Sequence, residues 1–371
     1  MKRYLYIYGL ILSVLVSCND RGLDAFTSDE NAKVYLSARV VSNVMTKTPY
    51  IPVEDDDTDF DAPTSDNPLN ADVWASWTSG IFKNKGLAGS ELNPEVSFHT
   101  WASFQNYGPQ LLHDIIYSKS GNSLYFVAFA PRDSWQSVDV PENYVSGNEP
   151  ADAGRYALAT FDGTIDLMYA PQVEGKYGNK VNDVLVWPEL KFHHLLTWLR
   201  FEFVAENEDV SLTWGRIKDI KIVSRNQIKI DLSEEFDPDA PGSSVTFIGD
   251  SDSVMPLYST GTDNIFPYGM YEIPYKAAEE KAYVLCEAVE AYDLVAGQRV
   301  PEYILRITTE NRQVNVPVDL RVAADSYYEG TTRARQFTIK LTFKVGDKIT
   351  AAASIMDWEN GGIIEGVVDE N

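Results

Sequence analysis

Along the second half of the chain, apolar and polar residues alternate with a period of two. Phe337, Ile339, Leu341, Phe343 and Val345 alternate with Thr338, Lys340, Thr342 and Lys344. Val314, Val316, Val318, Leu320 and Val322 alternate in the same way with Asn315, Pro317, Asp319 and Arg321. Successive side chains of a strand point to opposite faces, so each run predicts a strand with one face on a core. Burial of each large apolar side chain contributes roughly 1.5–3 kcal/mol, and a slip of one residue would expose the whole set, which holds the register. Pro317 has no N–H for the ladder and predicts an edge or bulged position. Shorter alternations run through Ile228, Ile230 and Leu232, through Val284, Cys286 and Ala288, and through Tyr303, Leu305 and Ile307.

In the first half, residues 33–41, 123–130 and 166–170 read as strands, the second of them ended by Pro131. Connections rich in Gly, Pro, Asp and Ser separate them at 46–68, 131–154 and 171–183. The best helix candidate is 102–118, interrupted by Gly108 and Pro109. Aromatic residues make up 12% of the chain, with 21 Tyr and 8 Trp, a bias that suits pleated, half-buried surfaces. Many short strands with turn signals between them predict an all-β protein, a pair of β-sandwiches. The domain boundary is expected between Tyr177 and Pro188, dividing the chain into 48–185 and 186–371.

The N-terminus departs from the β pattern. Lys2 and Arg3 precede an apolar run from Tyr4 to Val16, too short for a hydrocarbon core of about 30 Å. A basic start, an apolar stretch of this length and a small residue before the cut predict a secretory signal peptide over residues 1–17. Leu15, Val16, Ser17 and Cys18 resemble the lipobox of bacterial lipoproteins. The resemblance implies cleavage between Ser17 and Cys18, acylation of Cys18, and a mature chain tethered by lipid to a membrane outside the cytoplasm.

Composition removes several function classes. The full chain of 371 residues is long enough for two domains of ordinary size, and its formal net charge of −24 argues against a nucleic-acid partner. Of two cysteines, Cys18 is assigned to lipid, so Cys286 is left without a partner for a disulfide. Cys286 falls on the apolar side of its own alternation and reads as a buried, inert thiol. The four histidines (His99, His113, His193, His194) show no His-x-x-x-His spacing and the cysteines no Cys-x-x-Cys, so neither a metal nor a cofactor is expected. Nucleophile-elbow, dinucleotide and phosphate-loop patterns are absent as well, and the chain is not read as an enzyme. Asp55, Asp57 and Asp59 have the spacing of a calcium loop, but Phe60 stands where such a loop needs glycine and Asp66 replaces its bidentate Glu. A solvated loop is the better reading. For His193 and His194 the expectation is an imidazole packed at a strand start and bonded to backbone.

Four local patterns together resemble the fimbrillins, lipoprotein-precursor pilus subunits and anchors (type V pili) of Gram-negative gut and oral anaerobes. They are residues 124–131, an aromatic strand ending in Pro131, and residues 166–170. Phe192, His194 and Leu196 followed by 198–203 form the third, and Met356, Asp357 and Trp358 near the C-terminus the fourth. The resemblance implies two tandem sandwiches of transthyretin-like, Greek-key type and a leader, residues 18–47, that donates a removable first strand. A surface trypsin-like protease cuts after a basic residue, the strand leaves, and the C-terminal strand of another subunit fills the groove. In this sequence 33–41 fits the removable strand, with Val34, Leu36 and Ala38 on one face. The family's Arg beyond the strand is replaced by Lys47, and Arg39 lies within the strand. Ile363, Ile364, Val367 and Val368, within 363–368, are the donor candidates, with Gly366 weakening the segment. The resemblance places the chain at the surface of the outer membrane, or in the fimbrium once processed. Its partners would be other pilus subunits and the outer membrane itself. An uncut chain would keep its lipid and serve as an anchor or accessory subunit. The alternative reading is a surface lipoprotein binding glycan on an aromatic platform, which would require coplanar, exposed Trp and Tyr.

Overall fold

Most of the period-2 patterns become strands in the computed structural model, which among the described residues is mostly β with one short helix. It describes residues 34, 36–41, 69–82, 98–104, 110–111, 115, 117, 121–137, 153–178, 180–181, 184–185, 188–237, 244–260, 265–289, 294–295, 298–299, 303–318, 320, 333–346, 348–356 and 363–365. From the N-terminus the strands are β1 (Ser37–Val41), β2 (Leu69–Ser76), β3 (Phe98–Phe104), β4 (Gln110–Leu111), β5 (Leu124–Ala130) and β6 (Trp135–Ser137). Next come β7 (Tyr156–Thr160), β8 (Met168–Gly175), β9 (Lys180–Val181), β10 (Val184–Leu185), β11 (Glu189–His194) and β12 (Thr197–Ala205). The helix α1 (Glu208–Trp214) precedes β13 (Ile217–Val223), β14 (Gln227–Asp231), β15 (Val245–Ile248), β16 (Val254–Pro256), β17 (Tyr258–Ser259) and β18 (Glu279–Cys286). The last are β19 (Leu294–Val295), β20 (Gln298–Arg299), β21 (Tyr303–Thr309), β22 (Gln313–Val318), β23 (Gln336–Phe343), β24 (Ile349–Met356) and β25 (Ile363–Glu365).

A seven-stranded sheet runs in the order β1-β11-β8-β5-β2-β3-β4. Its central strands are apolar on both faces. Phe126 and Ala128 of β5 enter one buried cluster with Val73, Leu190 and Phe192, whereas Val127 and Phe129 enter a second with Trp74 and Tyr169. Cover on both sides explains why 124–130 reads as a continuous apolar run rather than an alternation. The second cluster continues into the C-terminal half. There the six-stranded sheet β17-β18-β12-β23-β24-β25 contributes Phe201, Phe203, Ile339 and Leu341, and the four-stranded sheet β16-β13-β21-β22 contributes Ile220, Ile222, Leu305 and Ile307. Another four-stranded sheet, β15-β14-β7-β6, adds Ala157, Ala159, Ile228 and Ile230. Three of the strand pairings cross residue 186: β11 is hydrogen-bonded between β1 and β8, and β14 pairs with β7.

Several expectations change. Among the described residues of 102–118, the expected helix is replaced by the end of β3 and by β4, because Ala102 is buried opposite Ala71 of β2 and cross-strand packing outweighs local preference. The helix forms instead at α1. Asn207 caps it by accepting the N–H of Val210 at 3.0 Å, Glu208 and Asp209 occupy the positive first turn, and Gly215 closes it at φ 72°. The connection expected over 171–183 is in part strand, since β8 continues to Gly175. Pro171 falls where the β8–β5 register shifts, so its missing N–H leaves no ladder bond broken. Val345 does not share the buried face of Phe343; β23 has ended, and Val345 is 72% exposed in the hairpin closed by Lys344 N–H to Lys348 O at 2.8 Å. Pro317 does lie on an edge strand, β22. Cys286 is fully buried, and burial pushes its thiol pKa up.

Candidate functional site

β1 occupies one edge of the seven-stranded sheet. β1 pairs in parallel with β11, Ser37 opposite Glu189 through Val41 opposite His193. Two further bonds extend the attachment, Ser37 N–H to Pro188 O at 3.1 Å and Val34 N–H to Ile115 O at 2.8 Å. Val34 and Leu36 are buried, and Ala38 packs against the same cluster, which Leu190 and Phe192 of β11 and Phe126 of β5 also line. The face anticipated from the sequence is therefore the buried one. Its opposite face carries Arg39, whose guanidinium lies 3.4 Å from Glu189 of β11 with both side chains partly exposed. Such a pair contributes about 1 kcal/mol or less, so the apolar face holds the strand.

β11 is itself anchored by a polar contact that sequence reasoning missed. His194 and Asp166 are both buried, and His194 Nδ1 lies 2.6 Å from Asp166 Oδ2. The expected backbone partner is thus a carboxylate, supplied by the stretch just before β8. The signal was present, since Asp166 and His194 fall in two separate family-like patterns, but nothing in either spacing pairs them. Truncating one partner would leave the other's polar atoms buried, at a cost of about 1–3 kcal/mol or more. His193 points the other way and meets Phe236, with ring centroids 5.1 Å apart. Burial first, then the neighbouring His194, Lys191 and Arg39, depress its pKa to about 4.

The other candidates stand apart from this edge. Ser17, Cys18, Lys47, Val367 and Val368 lie outside the described residues, as do the calcium-like loop at 55–66 and the C-terminal Trp358. Ile363 and Ile364 belong to β25, at the edge of the six-stranded sheet, where they pair with Met356 and Ile355 of β24. Among the described tryptophans, Trp74, Trp135, Trp198 and Trp214 are buried in the second cluster. They form no exposed platform. No group of three or more His, Cys, Asp or Glu side chains is arranged to hold a metal among the described residues.

No family profile matches the sequence, and no curated protein matches it. Solved fimbrial proteins of the Bacteroidales do match the chain along most of its length, at low identity. A fimbrial protein from Bacteroides vulgatus is 13% identical, with a TM-score of 0.45 over 88% of this chain and 99% of its own. A fimbrial assembly protein from Parabacteroides distasonis is 10% identical, with a TM-score of 0.40 over 90% of this chain and 98% of its own. The fimbrial anchor protein from Porphyromonas gingivalis gives 10% identity and a TM-score of 0.40 over 90% and 99%.

Proposed function

We propose that this chain is a structural subunit or anchor of a surface pilus, without catalytic activity. It is exported as a precursor lipidated on Cys18, held at the outer membrane, and joined to other subunits by β-strand exchange. Its two sandwich units are 48–185 and 186–371, with β11 of the second completing the sheet of the first. One observation carries the reading. The segment that the motifs mark as removable contains β1, the edge strand beside β11, and is seated through Val34, Leu36 and Ala38 on an apolar cluster. Loss of such a strand uncovers a row of backbone donors and acceptors above an apolar floor, which an extended apolar segment can fill by β-addition.

Arg39 is a poor protease site because its backbone is engaged with β11 while a protease needs an extended, unpaired stretch. Lys47, beyond the strand, is the better one. The donor is 363–368, of which β25 (Ile363–Glu365) pairs in this chain with its own β24 and must leave that edge before it can serve a neighbour.

The test is limited trypsin treatment of the full chain, followed by binding of a peptide covering residues 361–371. Cleavage after Lys47, a folded remainder and peptide capture are expected. Ile364→Asp in the peptide should weaken capture by about tenfold or more, because a charge would enter an apolar groove. Unfolding on trimming, or equal capture of the Asp peptide, would sink the exchange reading. A chain that trypsin never cuts at Lys47 is an anchor that keeps its lipid.

A further inference from the structure

The sheet β15-β14-β7-β6 buries Ala157, Ala159, Ile228, Ile230 and Val245 on one face and leaves the other open. Period 2 then dictates what the open face presents. Antiparallel register sets Gln136 opposite Leu158, Leu158 opposite Lys229, and Lys229 opposite Thr246. Tyr156 faces Asp231 in the neighbouring row on one side, and Thr160 faces Gln227 in the row on the other.

Two depressions lie on this face. One, of about 290 Å³, is lined by Tyr156, Lys229, Asp231, Glu234, Ser244 and Thr246. The other, of about 430 Å³, is lined by Asp133, Gln136, Leu158, Thr160, Gln227 and Ile248. Volumes of a few hundred Å³ are those of small-molecule sites. Tyr156 and Thr160 stand four residues apart on one strand, which separates the two flanking rows by roughly 13 Å.

Ser244 is 6% exposed, and its Oγ has no hydrogen-bond partner among the described residues. A buried hydroxyl without a partner in the wall of a cleft is a group that a bound molecule can satisfy. At the mouth of the second depression Asp133 is held at φ 65°, an uncommon state for a residue other than glycine. Its N–H donates to Asp72 Oδ2 at 2.9 Å and its carboxylate lies 3.0 Å from Arg132.

The chemistry of the face selects among ligands. Its reach comes from amides and hydroxyls (Gln136, Gln227, Thr160, Thr246, Ser244), over an aliphatic floor of Leu158 and Ile248. A protein partner would want an aromatic-rich centre, whereas Tyr156 is the one aromatic side chain among the described residues lining the two depressions. Anionic ligands are disfavoured by Glu235 and by a net charge of −24 on the whole chain, whereas Asp133 is paired with Arg132 at 3.0 Å, and Asp231 and Glu234 with Arg155 at 2.6 and 3.7 Å. The ammonium of Lys229 is turned over the ring of Tyr156, 4.8 Å from its centroid, and the guanidinium of Arg155 lies 5.3 Å from the same centroid. A neutral molecule rich in hydroxyls, extended across the face from one flanking row to the other, fits what remains.

We infer that the open face of this sheet is a binding site for a neutral oligosaccharide of a few rings. It rests on hydrogen bonds to the amides and hydroxyls rather than on a tryptophan platform. The inference is independent of strand exchange, since an anchor with an uncut leader would carry the same face.

The test uses the full mature chain and immobilised maltotetraose, mannotetraose, cellotetraose and chitotetraose, with sialyllactose and a heparin tetrasaccharide as acidic probes. At least one neutral tetrasaccharide should bind, and neither acidic probe should bind more tightly. Gln136→Ala with Gln227→Ala, both at exposed positions, should weaken binding by about tenfold or more while far-UV circular dichroism is unchanged. Tyr156→Ala should do the same, and Leu212→Ala, exposed on α1, should have no effect. Failure of all four neutral probes, preference for an acidic one, or undiminished binding by the double variant would overturn the site.

Discussion

His193 and His194 are neighbours in sequence with opposite surroundings. His194 turns inward to Asp166, and His193 is half-buried on the other face beside Phe236. An imidazole in an unfolded chain titrates near 6.5, whereas folded His193 does so at about 4. Between these values the unfolded chain binds more protons than the folded one. The stability His193 contributes is therefore complete above pH about 6.5 and is lost as pH falls through about 4. His193→Gln should reduce the acid loss of stability across that window by roughly 1–2 kcal/mol, a figure discounted for partial solvent contact. Urea midpoints measured at neutral pH and near pH 4.5 check this, and parallel pH slopes for the two proteins would refute it. Because Arg39 is among the groups that hold this pKa down, departure of β1 would also return His193 towards its ordinary range.

At the scale of elements, β1 offers two forms of attachment whose sizes differ. Leu36 is fully buried in the first cluster, and truncation of a buried Leu costs about 2–5 kcal/mol. The Arg39–Glu189 pair is partly exposed and worth at most about 1 kcal/mol. Leu36→Ala should therefore lower the urea midpoint and speed trypsin cleavage within the leader, and Arg39→Ala should leave the midpoint nearly unchanged. The reverse order would mean that charge rather than burial seats the strand. The same weighing separates α1 from its surroundings. Seven residues are too few for an isolated helix, and α1 persists because Trp214 is buried against Phe343, with ring centroids 5.3 Å apart.

For the molecule as a whole, the second cluster runs without interruption from Trp74 to Phe343 and takes residues from every large sheet. A shared core of this kind couples the two halves, so unfolding followed by tryptophan fluorescence and by far-UV circular dichroism should give one coincident transition. Ile228→Ala, in the strand that joins β7 to β15, should shift that whole transition, with a loss of about 2–5 kcal/mol. Two separated transitions, only one of them moved by this substitution, would show instead that the halves fold independently.

Periodicity alone determined the β class, the buried faces of β21, β23 and β18, the edge position of the strand carrying Pro317, and the inward face of Val34, Leu36 and Ala38. These are local consequences of a two-residue repeat and of a missing N–H, so they can be read one strand at a time. The helix at 208–214 was legible too, in Asn207, Glu208, Asp209 and Gly215, but the apolar density of its neighbours obscured it. Pairing partners were not legible. That β11 lies beside β1, that β14 crosses to β7, and that Asp166 meets His194 depend on contacts between segments far apart in sequence. The open polar face that joins Gln136 to Thr246 arises in the same way, from four strands whose individual sequences carry no mark of their neighbours. Only folding brings such residues together, because the energy that selects one pairing over another comes from burying side chains of both partners at once.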